Sequence, residues 1–211
     1  MSKVQRIPLA FRSRNFSTIS STFDSSKYLK HSHLWNPSCA FINGKFVYQD
    51  FTEQFPVYNP ANNQIIATFP QLKLQQIQSC EEVSYQAWKI WKQTTSKERS
   101  KILRKMSDLM HLYIEDLAHI ITLEAGKPLA EARGEVLYAA SFFEFYGEEA
   151  KRIYGEVIPP VVHGRKYLTM RQSVGPAAMI TPWNFPSAMI TRKVTSLVSQ
   201  FLPYEHRLHQ L

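Results

Sequence analysis

The sequence predicts an α/β protein, because strand-like and helix-like segments follow one another along the chain. Two hairpin-like strand pairs come first, two long helical patterns follow, and a short apolar run then leads into a further helix. Such elements pack as layers of helix on sheet around one core. The 211 residues, 44% of them apolar, suffice for one large domain or two small ones. No run approaches the roughly 18 apolar residues of a membrane span.

The two strand pairs are predicted by their turns. Asn43-Gly44 stands between two apolar-aromatic runs, and both positions of such a hairpin turn favour a positive φ, which Asn and Gly tolerate. A second pair is predicted in residues 55–70, on either side of the polar residues 61–63. Three prolines within it favour an edge strand or a connection.

Helical spacing of apolar residues begins after the second strand pair. Residues 72–91 predict one amphipathic helix. Thr95 and Glu98 then form a capping box, and the apolar stripe behind it predicts a single long helix that runs to Gly126.

The segment Gly126-Lys127-Pro128 is interpreted as a helix connector. Glycine permits the left-handed cap of the preceding helix, and proline can begin the next one. We therefore assign no chemistry to Lys127. The next helix is predicted from about Pro128 to Ile153. Its inward-facing residues are Leu129, Ala132, Val136, Ala140 and Phe143.

The pattern changes again after Gly155. Alternation in residues 166–174 predicts a strand, and the apolar run 175–180 is typical of a buried parallel strand. That run ends in a proline-bounded loop at residues 181–186. Pro186 suits the first turn of a further helix.

Half of the formal net charge of +8 lies near the N-terminus, since residues 1–23 hold Lys3, Arg6, Arg12 and Arg14 and no acid. This segment is also rich in Ser and Thr, which is the composition of a mitochondrial transit peptide. We therefore predict residues 1–30 to be a transit peptide and the protein to be located in the mitochondrial matrix. A disordered basic tail is the alternative. We do not expect nucleic-acid binding, which needs clustered basic residues within the fold.

The sequence contains two pairs of histidines that are candidate metal ligands. His31 with His33, and His206 with His209, each supply two ligands without a third or fourth. We therefore predict no metal site.

Three blocks of sequence resemble the aldehyde dehydrogenase superfamily. They are AFINGKFV, LEAGKPLAEARGEV and ITPWNFPSAMITRKV, in the order of the family. The middle block continues as YAASFFEFYGEEAKRIYGEVIP, which resembles the succinate-semialdehyde dehydrogenase branch. The resemblance implies the N-terminal part of that fold over residues 31–194: an incomplete Rossmann-like cofactor domain and strands of the oligomerisation arm. Residues 195–211 diverge from the family pattern.

The block ITPWNFP is similar to the site where this family binds NAD or NADP. Independently of the resemblance, a strand end before a helix start is where α/β sheets bind ligands. The resemblance implies that Asn184 donates a hydrogen bond to the aldehyde oxygen and that Ile180, Thr181, Pro182, Trp183 and Asn184 line the cofactor. The alternative is that Asn184 caps the following helix.

Arg192 lies eight residues beyond Asn184, a helical rise of about 12 Å. In the semialdehyde branch, the arginine of ITRKV pairs with the carboxylate of the substrate, and a guanidinium suits a planar carboxylate. The resemblance therefore implies that Arg192 binds the substrate carboxylate; the alternative is an exposed helix arginine. Lys193 is interpreted as supportive or structural.

The family resemblance also implies groups that this chain does not supply. Its chemistry uses a cysteine thiolate and a glutamate-activated water, both well downstream of the asparagine motif. Cys39 begins a hairpin strand and Cys80 lies in an early helix, and neither stands in a nucleophile context. We read the chain as an N-terminal fragment with free thiols, inactive alone and marginally stable. The alternative role is a non-catalytic partner that joins full-length subunits through residues 166–174.

Overall fold

The computed structural model describes residues 23–37, 39–48 and 53–200. The strands within these ranges are β1 (Ala40–Ile42), β2 (Lys45–Val47), β3 (Gln54–Tyr58), β4 (Ile65–Pro70), β5 (Val157–Ile158) and β6 (Tyr167–Leu168). The helices are α1 (Leu74–Trp91), α2 (Ser96–Leu112), α3 (Ile114–Ala125), α4 (Leu129–Glu149) and α5 (Pro186–Ser199). Three antiparallel pairs, β1–β2, β3–β4 and β5–β6, make up the sheet structure of the described ranges. No helix in these ranges is long and apolar enough to cross a membrane.

Both predicted strand pairs are confirmed. In the first turn Asn43 has φ 52° and Gly44 has φ 70°, and β1 pairs with β2 across them. In the second pair β3 lies antiparallel to β4, with a register shift between Val57 and Tyr58. The local turn chemistry therefore fixes both hairpins.

The capping box of α2 is confirmed as well. The Glu98 amide donates to Thr95 Oγ1 at 3.3 Å, and the Thr95 amide donates to Glu98 Oε2 at 2.7 Å. Two amides that the first helical turn leaves without intrahelical partners are satisfied in this way.

The prediction of one long helix up to Gly126 is wrong, because the helix is interrupted at Tyr113. Tyr113 has φ −103° and ψ 20° and separates the 17 residues of α2 from the 12 residues of α3. A straight helix of that combined length would span about 45 Å, whereas the 21 residues of α4 span about 32 Å. The interruption allows both halves to pack against α4.

The main core surrounds α4. It joins residues from α2, α3, α4 and α5: Leu103, Met110, Ala118, Ile121, Ala132, Val136, Ala139, Ala140, Phe143 and Ala188. The predicted inward residues of α4 all belong to this core or pack against it. The connector prediction is also confirmed in part, since Gly126 ends α3 in the left-handed conformation. Helix α4 is therefore the element against which α2, α3 and α5 pack.

The folded part begins before residue 31, the boundary predicted from composition. Phe23 and Leu29 are buried. Phe23 belongs to a second cluster with Val57, Ile66, Ala67 and Leu123. The fold extends before residue 31 because apolar side chains of this otherwise polar, basic segment pack between the β3–β4 pair and α3.

A polar tether holds the N-terminal segment on α3. His31 Nδ1 lies 2.5 Å from Asp116 Oδ2, and the Lys30 amide donates to Asp116 Oδ1 at 2.7 Å. The Asp116 side chain is only 3% exposed. His31 is thus held by a carboxylate, while His206 and His209 lie outside the described residues.

The prediction of a buried parallel strand at residues 175–180 is wrong. The segment forms only an isolated bridge at Ala177, and Ile180 is 74% exposed. The strand predicted at residues 166–174 is shortened to β6, which pairs with β5. A parallel strand needs neighbouring parallel strands, and the described residues supply none.

We expect Gly126→Ala to lower the free energy of unfolding by about 1–3 kcal/mol, because a side chain at positive φ is strained. Gly126 has φ 70°, and an added Cβ would lie 2.8 Å from Pro60 Cγ. Gly134→Ala is the matched control, since its Cβ would meet nothing within 4 Å and alanine favours a helix by up to about 1 kcal/mol. Urea denaturation followed by circular dichroism measures both. Equal effects of the two changes would contradict the expectation.

We expect Asp116→Asn to destabilise the chain at pH 7 and to lose its effect in acid. Burial disfavours the charged Asp116, but the hydrogen bonds from His31 and Lys30 outweigh it and hold the pKa of Asp116 below its ordinary value. A lowered folded-state pKa stabilises the fold above the unfolded value of about 3.9, and this stability is lost as the pH falls through the folded value.

The expected cost of this substitution is about 1.5–3 kcal/mol at pH 7, the range for hydrogen bonds to a charged group. Denaturation series at several pH values between 7 and 3 measure the difference from the parent chain. Asp108→Asn, an exposed position on α2, is the control and should change stability by less than about 0.5 kcal/mol. A difference that stays constant with pH would refute the ionic contribution.

Candidate functional site

The loop of residues 181–185 leads directly into α5. Pro186 takes the first helical position, where its missing N–H costs no helical hydrogen bond. Phe185 is the N-cap residue, with φ −136° and ψ 73°, and it makes no side-chain capping bond. Residues 182–184 are exposed immediately before the helix N-terminus.

Asn184 lies in this exposed stretch. The helix N-cap is Phe185, one residue later, so the capping alternative for Asn184 is wrong. Within the described part of the chain, the contact recorded for Asn184 is made by its backbone oxygen, which accepts from Lys127 Nζ at 3.4 Å. The side chain of Asn184 therefore does not cap α5.

The N-terminus of α5 is capped instead by Glu135 from α4. Glu135 Oε1 accepts from the amides of Ser187 at 2.9 Å and Ala188 at 3.3 Å. The Glu135 side chain is completely buried. A carboxylate at this position satisfies two amides that lack helical partners and interacts favourably with the positive end of the helix dipole.

Lys127 joins this carboxylate to the loop. Its ammonium forms an ion pair with Glu135 Oε2 and lies 3.8 Å from the centroid of the Phe185 ring. The Lys127 side chain is 13% exposed. Lys127 therefore has a structural task beyond the connector role predicted for it, because it contacts both residues that precede α5.

Arg192 lies on the exposed surface of α5. Its Nη2 is 3.6 Å from Met189 Sδ. Arg192 takes part in none of the ion pairs found among the described residues. Its guanidinium is therefore available to a ligand carboxylate.

A shallow depression of about 450 Å³ lies beside Arg192. Residues 177–179 form one side, and Arg192, Lys193 and Ser196 of α5 form the other. Two cations and no carboxylate line it, so it favours an anionic group. Asn184 does not line it, so the described structure does not unite Asn184 and Arg192 in one cavity.

Residues 180–183 form the surface predicted to bind a nicotinamide cofactor. Ile180 is 74% exposed and Trp183 is 70% exposed, and the segment belongs to no helix or strand. Apolar and aromatic faces with a few polar groups nearby are what a flat heteroaromatic ring requires. The exposed apolar and aromatic residues of this segment therefore fit such a ring.

Neither cysteine lies in this loop. The Cys39 thiol is buried just before β1 and donates to the Asn36 oxygen at 3.1 Å. Burial raises the pKa of Cys39 despite a hydrogen bond with Tyr48, and a raised pKa leaves less of the nucleophilic thiolate. Cys80 is buried within α1. The structure agrees with the interpretation that neither is an activated nucleophile.

Lys127 and Glu135 are the residues that sequence reasoning missed. One signal in the sequence could have found Glu135: it stands within the inward-facing pattern of α4, beside Ala132, Val136 and Ala139. A carboxylate on an apolar helix face requires a partner. The sequence gives no comparable signal for the identity of that partner.

Comparison with known proteins gives a consistent result. Residues 46–198 match the sequence model of the aldehyde dehydrogenase family. The chain is 47% identical to the succinate-semialdehyde dehydrogenase [NADP(+)] of Saccharomyces cerevisiae, over 82% of this chain and 35% of the relative. It is 48% identical to the mitochondrial succinate-semialdehyde dehydrogenase of Arabidopsis thaliana, over 72% of this chain and 29% of the relative.

The fold is similar to solved structures of the same kind. An aldehyde dehydrogenase from Brucella melitensis superposes with a TM-score of 0.80 at 45% identity, over 83% of this chain and 36% of that structure. The predicted fold class is thereby confirmed. The chain spans about a third of the length of the curated relatives that it matches.

Proposed function

Because this chain belongs to the aldehyde dehydrogenase family, we propose that it carries the aldehyde-oxygen donor and the carboxylate-binding cation of an enzyme that oxidises succinate semialdehyde to succinate with NAD or NADP. The observation that carries the proposal is the exposed Arg192, which has no ion pair among the described residues. The yeast and Arabidopsis relatives, both named for this substrate, support it.

The position of Arg192 suits a substrate that has a carboxylate at one end. Helical side chains lean towards the N-terminus of their helix. The guanidinium of Arg192 is therefore directed towards the N-terminal end of α5, which follows the loop that holds Asn184. A guanidinium binds a carboxylate through two parallel hydrogen bonds. The positively charged depression beside Arg192 favours the same anionic group.

Asn184 supplies the second contact of the proposal. When a thiolate adds to the aldehyde carbon, a C–S bond forms and the carbonyl oxygen becomes an oxyanion. An amide N–H of Asn184 donates to that oxygen, and one such donor is worth about 3 kcal/mol. Ile180, Thr181, Pro182 and Trp183 would hold NAD or NADP, which would supply the hydride acceptor when bound.

The described residues of the site include neither a cysteine nucleophile nor a general base for this chemistry. Cys39 and Cys80 are buried in other elements. Overall, aldehyde, water and NAD(P)+ give carboxylate, NAD(P)H and two protons. We therefore expect no turnover from the 211-residue chain without a partner that supplies the missing thiolate.

We expect a chimera to show the activity directly. In it, the matching segment of the yeast relative is replaced by that of this chain. The chimera is expected to oxidise succinate semialdehyde, measured by NADPH absorbance.

Asn184→Ala should lower kcat about 10²- to 10³-fold, because the oxyanion loses a preorganised donor. Arg192→Leu should raise KM about ten- to hundredfold, because the carboxylate loses a charged partner.

Butanal, which has the same number of carbons and no carboxylate, is the control substrate. Arg192→Leu should leave its kcat/KM unchanged, whereas Asn184→Ala should lower the activity on both aldehydes. A chimera that prefers butanal, or an Arg192→Leu effect of equal size on both substrates, would overturn the assignment of Arg192. The unaltered 211-residue chain serves as the blank, and turnover by that chain would refute the expectation of inactivity.

A second candidate function is association with complete subunits of the family. The β5–β6 pair and its flanks expose several large apolar side chains: Val157, Val161, Leu168 and Met170. Exposed apolar surface of this kind is typical of an interaction site. Under this alternative, the chain regulates or interferes with full-length subunits rather than catalysing a reaction.

We expect Leu168→Asp to abolish such association, because a charge would be buried in an apolar contact. The measurement is co-purification of the tagged 211-residue chain with the yeast relative expressed in the same cells. Ile90→Asp, which changes an exposed apolar residue of α1, is the control and should not alter recovery. Recovery of a purely monomeric parent chain would count against the second function.

We also propose the mitochondrial matrix as the location. The basic, acid-free N-terminal segment and the mitochondrial relative from Arabidopsis support it. Residues 1–22 lie outside the described residues, and Phe23 is part of the fold. An address sequence would therefore have to end before Phe23 for the mature chain to keep this contact.

A further inference from the structure

The segment before α5 is held from two sides by charged groups that no step above uses. On one side, the buried Glu135 carboxylate accepts from the amides of Ser187 and Ala188. On the other side, the Lys127 ammonium donates to the backbone oxygen of Asn184. The backbone of Asn184 is thus one fixed point and the first turn of α5 is the other, while the residue Asn184 is exposed.

The two charged groups depend on one another. Glu135 is completely buried, and a buried carboxylate without a cation is strongly destabilising. Lys127 provides that cation, and its ammonium also contacts the face of the Phe185 ring. The Lys127–Glu135 ion pair therefore joins three parts of the chain: the segment between α3 and α4, α4 itself, and the loop before α5.

We propose that Lys127 and Glu135 are positioning residues that hold the backbone of Asn184 where its amide meets the aldehyde oxygen. This inference rests on the proposed function of Asn184. A displacement of a catalytic group by about 1 Å can reduce the rate about 10²-fold, so a residue that fixes its backbone acts on catalysis without touching substrate. Simple capping of α5 is the alternative, and it predicts no effect of Lys127 on the loop.

Amide hydrogen exchange of the 211-residue chain, followed by mass spectrometry, tests the inference without any substrate. Lys127→Met removes the cation. Glu135→Gln removes the charge but keeps an oxygen that can accept from Ser187. Each change is expected to accelerate exchange in residues 180–188 roughly tenfold, and to accelerate it much less in elements that contact neither residue, such as the β1–β2 hairpin.

The double variant measures the coupling. If the pair acts as one unit, Lys127→Met with Glu135→Gln exchanges no faster than either single variant. Lys151→Met is the matched control, since it removes the cation of an exposed ion pair with Glu148 at the end of α4, and it should leave the loop unchanged. Unchanged exchange in the Lys127→Met variant, exchange raised uniformly over the chain, or additive effects would overturn the proposal.

Kinetics of the yeast chimera give the second readout. Lys127→Met should lower kcat about tenfold with KM within about twofold, because the group that fails is the oxyanion donor and not the carboxylate clamp. An unchanged kcat would also overturn the proposal. A parent chimera without activity would refute the proposed function, and the exchange experiment would then decide by itself whether the pair holds the loop.

Discussion

The buried carboxylate of Glu135 is the constraint on which the arrangement of the helices around the site depends. Moving a carboxylate out of water costs several kcal/mol unless charges and hydrogen bonds replace its hydration. Here an ammonium and two backbone amides replace it, and all of them come from other elements. This carboxylate therefore joins the connection before α4, α4 itself and α5 to one another. The apolar core around α4 supplies the packing, and this carboxylate fixes the relative placement.

Features encoded by neighbouring residues were predictable from the sequence. The hairpin at Asn43-Gly44, the capping box of Thr95 with Glu98 and the left-handed cap at Gly126 each depend on two to four adjacent positions. Features that depend on distant elements were not. The interruption at Tyr113 follows from the length of α4, and the strand expected at residues 175–180 would need parallel neighbours that the described residues do not contain.

The residues of the candidate site also fall into those that neighbouring sequence predicts and those that depend on distant elements. The family-like block located Asn184 in a loop before a helix, which the structure bears out, and Arg192 on the surface of that helix. The residues that fix the loop were missed because Lys127 and Glu135 lie about 50 residues before it and resemble ordinary surface charges in sequence. Only the apolar neighbours of Glu135 on α4 distinguish it from a solvated glutamate.

Two cationic side chains near α5, Lys127 and Arg192, differ in burial and in their ion pairs. Lys127 is 13% exposed and is paired with a completely buried carboxylate, so binding an external anion would require breaking that pair and leaving Glu135 without its cation. Arg192 is exposed and has no carboxylate partner in the described ranges, so an anion that approaches it would not have to displace an ion pair of those ranges. The same charge therefore serves different purposes at the two positions. The paired carboxylate of Glu135, and not the sign of the side chain, separates Lys127 from Arg192.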